Sequence, residues 1–130
     1  MSQVISEQFL KPYLVYSSDT EPEYWISDAF SENTTNLVLE GLKKVINDSH
    51  GTGYAAHREE VLLAGKTGTA EIKASKGDIS GTELGGFSVF TAEHPILIVS
   101  MVEDVKGRGG SGYVVGKEKE VMESWFSGNE

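Results

Sequence analysis

The 130-residue sequence contains no cysteine. That excludes a disulfide framework and any thiolate metal site, and it leaves the redox compartment open. Cations are scarce as well: 11 lysines and arginines face 20 acidic residues, for a formal net charge of -9. They are scattered along the chain, whereas a phosphate backbone is neutralised by clustered lysine and arginine. A nucleic-acid surface is therefore excluded, and the acid excess reads as solubility. No apolar run approaches the roughly 20 residues of a membrane-spanning helix, so no part of the chain is expected to contact a bilayer. The opening Met-Ser-Gln-Val-Ile-Ser-Glu has no basic segment leading into an apolar core, and no signal peptide is expected. His50, His57 and His94 lack the spacing of a zinc motif. Neither a metal nor another cofactor is expected.

What remains is ordinary globular material, 38% hydrophobic and 24% charged. A chain of this length reads as one domain over residues 1–130. Lys11 to Ser18, KPYLVYSS, is aromatic and β-branched and reads as a strand. From Ser31 to Asp48 the pattern turns helical, with Val38, Leu42 and Val45 sharing a face with Leu39 and Ile46. Ser31 is placed to cap that helix, and Gly51 and Gly53 end it. Val61 to Ile72 reads as a buried strand with a small, polar second half. Leu84 to Ala92 and Ile96 to Val105 are the strongest strand signals, and the link Glu93-His94-Pro95 makes them a hairpin. Val114, Val115, Val121, Met122, Trp125 and Phe126 then recur at helical spacing. The expected class is α+β, an antiparallel sheet with helices packed on it.

Two glycine motifs are decoys. Gly65-Lys66-Thr67 matches the end of a phosphate-binding loop, but that loop needs a glycine where Glu60 stands and a helix where Gly68 and Thr69 to Ile72 read as strand. Gly107-x-Gly109-x-x-Gly112 spells a dinucleotide fingerprint, yet too few residues follow for the second parallel strand such a fold requires. It reads as a turn from strand to helix.

A third stretch is chemically richer. Along a strand through Lys66-Thr67-Gly68-Thr69, Lys66 and Gly68 share one face while Thr67 and Thr69 share the other. Gly68 lets another backbone lie close, so a cation and two hydroxyls border a bare strand edge. That combination suits an extended acyl substrate bearing a carboxylate.

Ala64-Gly65-Lys66-Thr67-Gly68-Thr69-Ala70-Glu71 resembles the third motif of the penicillin-binding protein transpeptidase domain, a fold shared with serine β-lactamases. Gly51-Thr52-Gly53 after a helix, Leu84-Gly85-Gly86-Phe87 on the next strand, and the closing hairpin and helix extend the likeness from about Lys11 to Phe126. The chain is similar to the C-terminal part of that domain. The resemblance implies a D,D-transpeptidase parent that cross-links peptidoglycan, is blocked by β-lactams, and works outside the cytoplasmic membrane on an N-terminal anchor. It implies that Lys66 reaches toward a second-motif serine and keeps the cleft positive. It also implies that Thr67, Gly68 and Thr69 bind the substrate, the threonine hydroxyls holding its carboxylate, and that the Thr69 amide is one of two oxyanion-hole donors.

The family's nucleophile motif, Ser-x-x-Lys, is absent, since no serine here is followed three residues later by lysine. Ser31-Glu32-Asn33 spells the second motif but lies just ahead of an amphipathic helix, where a serine caps. The chain alone is thus expected not to acylate, and, as an excised part, to expose apolar surface and self-associate. Where relatives often carry Gly-Trp-Phe, this chain has Gly85-Gly86-Phe87, which puts the groove wall in question. The competing reading is a freestanding, non-catalytic domain that captures an extended peptide by strand addition.

Overall fold

The computed structural model describes residues 8–15, 17–94 and 96–128. It divides into two compact units, Met1–Gly41 and Leu42–Glu130. The boundary falls inside a continuous helix.

The first unit holds two short antiparallel strands, β1 (Phe9–Leu10) and β2 (Tyr24–Ile26). The rings of Phe9 and Trp25 lie 5.3 Å apart, and Lys11 pairs with Glu23 through both backbone and side chain. The strand expected over Lys11 to Ser18 does not form; residues 11–15 and 17–18 are irregular, and Tyr16 lies outside the described residues. High strand propensity has no effect without a partner strand and a face to bury, and Leu14 and Val15 are exposed. Helix α1 (Glu32–Asn47) begins one residue after Ser31, whose hydroxyl accepts from the Thr34 amide at 3.2 Å. Ser31 is therefore a cap, as its position implied.

In the second unit α1 ends where Gly51 must lie against it: a Cβ at that position would come within 2.3 Å of the Val45 carbonyl oxygen. The Gly53 amide then donates to that same carbonyl, and a single 3-10 turn (Tyr54–Ala56) leads on. Three strands follow, β3 (Ala64–Ile72), β4 (Thr82–Thr91) and β5 (Ile96–Val102), in the order β3-β4-β5 with both pairs antiparallel. The hairpin between Thr91 and Ile96 closes as the sequence indicated, although Pro95 itself is outside the described residues. Helix α2 (Ser111–Ser127) completes the unit. The architecture is α+β, as expected.

Alternation along the strands explains the layering. Phe87 and Val89 of β4 face the side that carries α2, and they join Ile46, Leu63, Val105, Val114, Val115, Met122 and Phe126 in one core. Gly85 lies on this face because a Cβ there would sit 2.8 Å from Val114 Cγ2 and 3.0 Å from Val105 Cγ1. Helix and sheet approach through that gap. On the opposite face of β5, Leu97, Val99 and Met101 are exposed. Glu118 is the exception within the core: it is 1% exposed, and neither carboxylate oxygen meets a hydrogen-bond partner. Burial pushes its carboxyl above the usual range.

Beyond β3, residues 73–81 form a connection with its own internal ties. Asp78 accepts from the Ala74 and Ser80 amides and the Ser80 hydroxyl, which holds its carboxyl down at about 2. Lys106 donates to the carbonyls of Ile79 and Gly81, fastening the connection to the segment after β5.

Candidate functional site

The edge strand β3 carries all four residues that the sequence singled out. Its position at the end of the sheet order leaves one side without a strand partner among the described residues. Which backbone groups face that side follows from the ladder. The Val105 amide donates to the Glu83 carbonyl, so odd-numbered residues of β4 direct their backbone groups toward β5, and even-numbered ones toward β3. Gly86 and Ser88 therefore exchange hydrogen bonds with Gly68 and Lys66, their register partners. Thr67 and Thr69 are left with amide and carbonyl aimed out of the open edge. The Lys66 ammonium agrees with this, since it donates to the Thr67 carbonyl.

Side chains divide the other way. Lys66 and Gly68 point to the face opposite α2, where Gly68 has open space around it. Its cross-strand neighbour is Gly86, also without a side chain. A Cβ on Gly86 would meet only the Gly68 and Ser100 carbonyls, at 3.7 and 3.8 Å, so a side chain fits there. Both members of this cross-strand pair lack a side chain, and this face beside Lys66 is bare backbone.

Thr67 and Thr69 point to the α2 side. Thr67 is 6% exposed, and its hydroxyl lies 2.7 Å from that of Thr52, in the loop after α1. Thr69 is exposed, and its Oγ1 accepts from the Ser111 amide at 3.2 Å, at the first turn of α2. The site thus consists of an ammonium, a hydroxyl pair, a single outward hydroxyl and two outward amides along about four residues of strand.

Two participants were not identified from sequence. In the sequence Thr52 stands out only as part of a Gly-Thr-Gly flank, and Ser111 does not stand out. A threonine between two glycines beside a helix end was the available signal for the first. The second contributes a backbone amide, which leaves no mark on residue type. His57 donates from Nδ1 to Asn47 Oδ1 across 3.1 Å, and the Asn47 side-chain amide nitrogen in turn donates to the Leu63 carbonyl, so this histidine ties α1 to the approach to β3. No group of three or more potential metal ligands occurs among the described residues.

The sequence matches the model of the penicillin-binding protein transpeptidase domain over residues 1–123. Penicillin-binding protein 3 of Bacillus subtilis strain 168 is 37% identical over 116 residues, 88% of this chain and 17% of that protein. The fold recurs among solved structures, including the following. A protein of Atopobium parvulum described as a peptidoglycan glycosyltransferase has a TM-score of 0.66 at 20% identity, covering 95% of this chain and 31% of that one. Penicillin-binding protein 2B of Streptococcus pneumoniae has a TM-score of 0.55 at 17% identity, covering 82% and 18%. The transpeptidase domain of Burkholderia pseudomallei penicillin-binding protein 3 has a TM-score of 0.55 at 20% identity, covering 83% and 34%. The chain spans less than a fifth of the length of Penicillin-binding protein 3 of Bacillus subtilis.

Proposed function

From the premise that this chain belongs to the penicillin-binding protein transpeptidase domain family, we propose that it supplies one wall of a D,D-transpeptidase active site. The parent cross-links peptidoglycan stem peptides, is acylated by β-lactams, and works outside the cytoplasmic membrane, to which it is anchored. Among the described residues no helix is long and apolar enough to cross a membrane.

The observation that supports this reading best is the pair of outward backbone positions at Thr67 and Thr69 beside the Lys66 ammonium. An acyl substrate laid along the open edge meets those groups as an added strand would. The Thr69 amide serves as one oxyanion donor, and the exposed Thr69 hydroxyl takes the substrate carboxylate. Thr67 contributes its backbone and, with Thr52, a hydroxyl pair that still has one hydrogen to donate whichever way the pair is oriented. Lys66 keeps the potential positive and aids proton transfer near a serine that this chain does not contain.

Without Ser-x-x-Lys the acyl-enzyme route is closed, so the chain alone does not acylate. The test mixes the chain with a labelled penicillin and reads intact mass; no adduct is expected, and a stoichiometric covalent adduct overturns this part. A parallel titration with an acyl-D-alanyl-D-alanine peptide is expected to shift the Lys66 to Thr69 amides. The open edge also favours a second reading, capture of extended peptides by strand addition without catalysis. That reading takes over if an unrelated peptide, amidated at its C-terminus, shifts the same amides equally well.

A further inference from the structure

We propose that the glycine-rich turn between β5 and α2, residues 107–112, is a positioning device that sets the Thr69 hydroxyl as a hydrogen-bond donor to bound substrate. This rests on the reading that Thr69 meets the substrate carboxylate. The turn is the dinucleotide-like motif that the sequence carries without a dinucleotide fold around it.

A threonine hydroxyl has one hydrogen and two lone pairs. The Ser111 amide can only donate, so the bond of 3.2 Å to Thr69 Oγ1 makes that oxygen the acceptor. One lone pair is thereby committed. The hydrogen remains, and no acceptor takes it among the described residues. Because Thr69 is exposed, that hydrogen is available to a ligand oxygen.

The arrangement also solves a problem for the helix. The first amides of any helix lack internal partners, and the cap residue of α2 is Gly110, which has no side chain to offer. Thr69, 42 positions earlier, supplies the missing oxygen. In return, the partial positive charge at the helix start lies against the hydroxyl and strengthens it as a donor.

Gly110 makes the close approach possible. Its φ of +60 disfavours other residues, and a Cβ there would stand 3.2 Å from Thr69 Oγ1 and 3.8 Å from Cγ2. On the other side, the cross-strand neighbour of Thr69 is Gly85, again without a side chain. Thr69 is thus bounded on two sides by glycines, with the Ser111 amide on its oxygen. Ser111 and Gly110 are positioning residues; neither needs to touch substrate.

Three variants of the 130-residue chain test this. Ser111→Pro removes the amide at the first helical position, where proline is tolerated. Gly110→Ala leaves the amide but intrudes on the hydroxyl. Thr69→Val keeps the shape and removes the acceptor. Three-bond couplings are expected to report a single χ1 rotamer for Thr69 in the wild type and averaging in the first two variants. The Ser111 amide is expected to exchange about fivefold faster in Thr69→Val, the scale of one ordinary hydrogen bond. Affinity for acyl-D-alanyl-D-alanine is expected to fall by about the same factor in Ser111→Pro. An unchanged Thr69 rotamer in Ser111→Pro, or unchanged Ser111 exchange in Thr69→Val, overturns the proposal. If the wild-type chain binds no such peptide, the substrate reading fails by itself, and the rotamer and exchange measurements still decide the positioning.

Discussion

The hydroxyls of Thr52 and Thr67 lie 2.7 Å apart and join the loop after α1 to the strand that carries Lys66. Fifteen residues separate them in sequence. Because Thr67 is nearly buried, removing one hydroxyl leaves the other short of a partner, and that loss costs more than the bond itself contributes. Thr52→Val is expected to destabilise the chain by about 1 kcal/mol, a drop of about 4 °C in Tm for a domain of this size. Thermal unfolding of Thr52→Val, Thr67→Val and the double variant checks it. A double variant as unstable as the sum of the singles would mean that the two hydroxyls are not coupled.

Adjacent glycines on β4 are expected to behave in opposite ways. Gly85 admits Val114 and Val105, and an alanine there presses on both at 2.8 to 3.0 Å. Overpacking of this kind costs about 1 to 3 kcal/mol. Gly86 has room, and its strand position favours a residue with a side chain. Gly86→Ala or Gly86→Thr is expected to leave stability unchanged or raise it by up to about 1 kcal/mol. Denaturant midpoints for the two alanine variants settle the contrast.

Glu118 gives the chain a pH dependence of defined sign. Its carboxyl is raised in the folded state by burial, so the folded protein prefers it neutral. Stability from this group is fully present below the ordinary glutamate range and is lost as pH rises through the folded value. Its neighbours on the helix do not compensate: Lys117 pairs with Glu120, and Lys119 with Glu123. Glu118→Gln is expected to match wild type near pH 4 and to melt several degrees higher near pH 8. Identical slopes of Tm against pH for the two proteins would remove Glu118 from the account.

The exposed row Leu97, Val99 and Met101 predicts concentration-dependent self-association of the chain. Val99 is 71% exposed in the middle of that row. Light scattering is expected to show a rising mean mass with concentration, reduced in Val99→Lys. A clean monomer at high concentration counts against it.

The elements that were legible in the sequence are those whose pattern is local. Leu84 to Ala92 and Ile96 to Val105 are rich in β-branched and aromatic or aliphatic residues, and strands formed over Thr82–Thr91 and Ile96–Val102. Ser31 announced a helix start by residue type and position. Lys11 to Ser18 misled because branched and aromatic residues signal a strand only when a partner is present. The three-residue strand Tyr24–Ile26 was too short to register. At the site, Lys66 to Thr69 stood out as a motif on a strand, and the structure puts that strand at a sheet edge. Thr52 and Ser111 did not stand out, since each acts through a contact that exists only once α1, β3 and α2 have come together. Glu118 was equally hidden: within its helix it reads as one more charge among Lys117, Lys119 and Glu120.

The meander order of β3, β4 and β5 bears on how the chain acquires its shape. Among the described residues each of these strands pairs only with its immediate predecessor or successor, across the connections 73–81 and 92–95. Closing such short loops costs little entropy, and pairings between near neighbours are the quickest to nucleate. The lysine-bearing margin can therefore zip up early, as a scaffold ready before any remote partner docks.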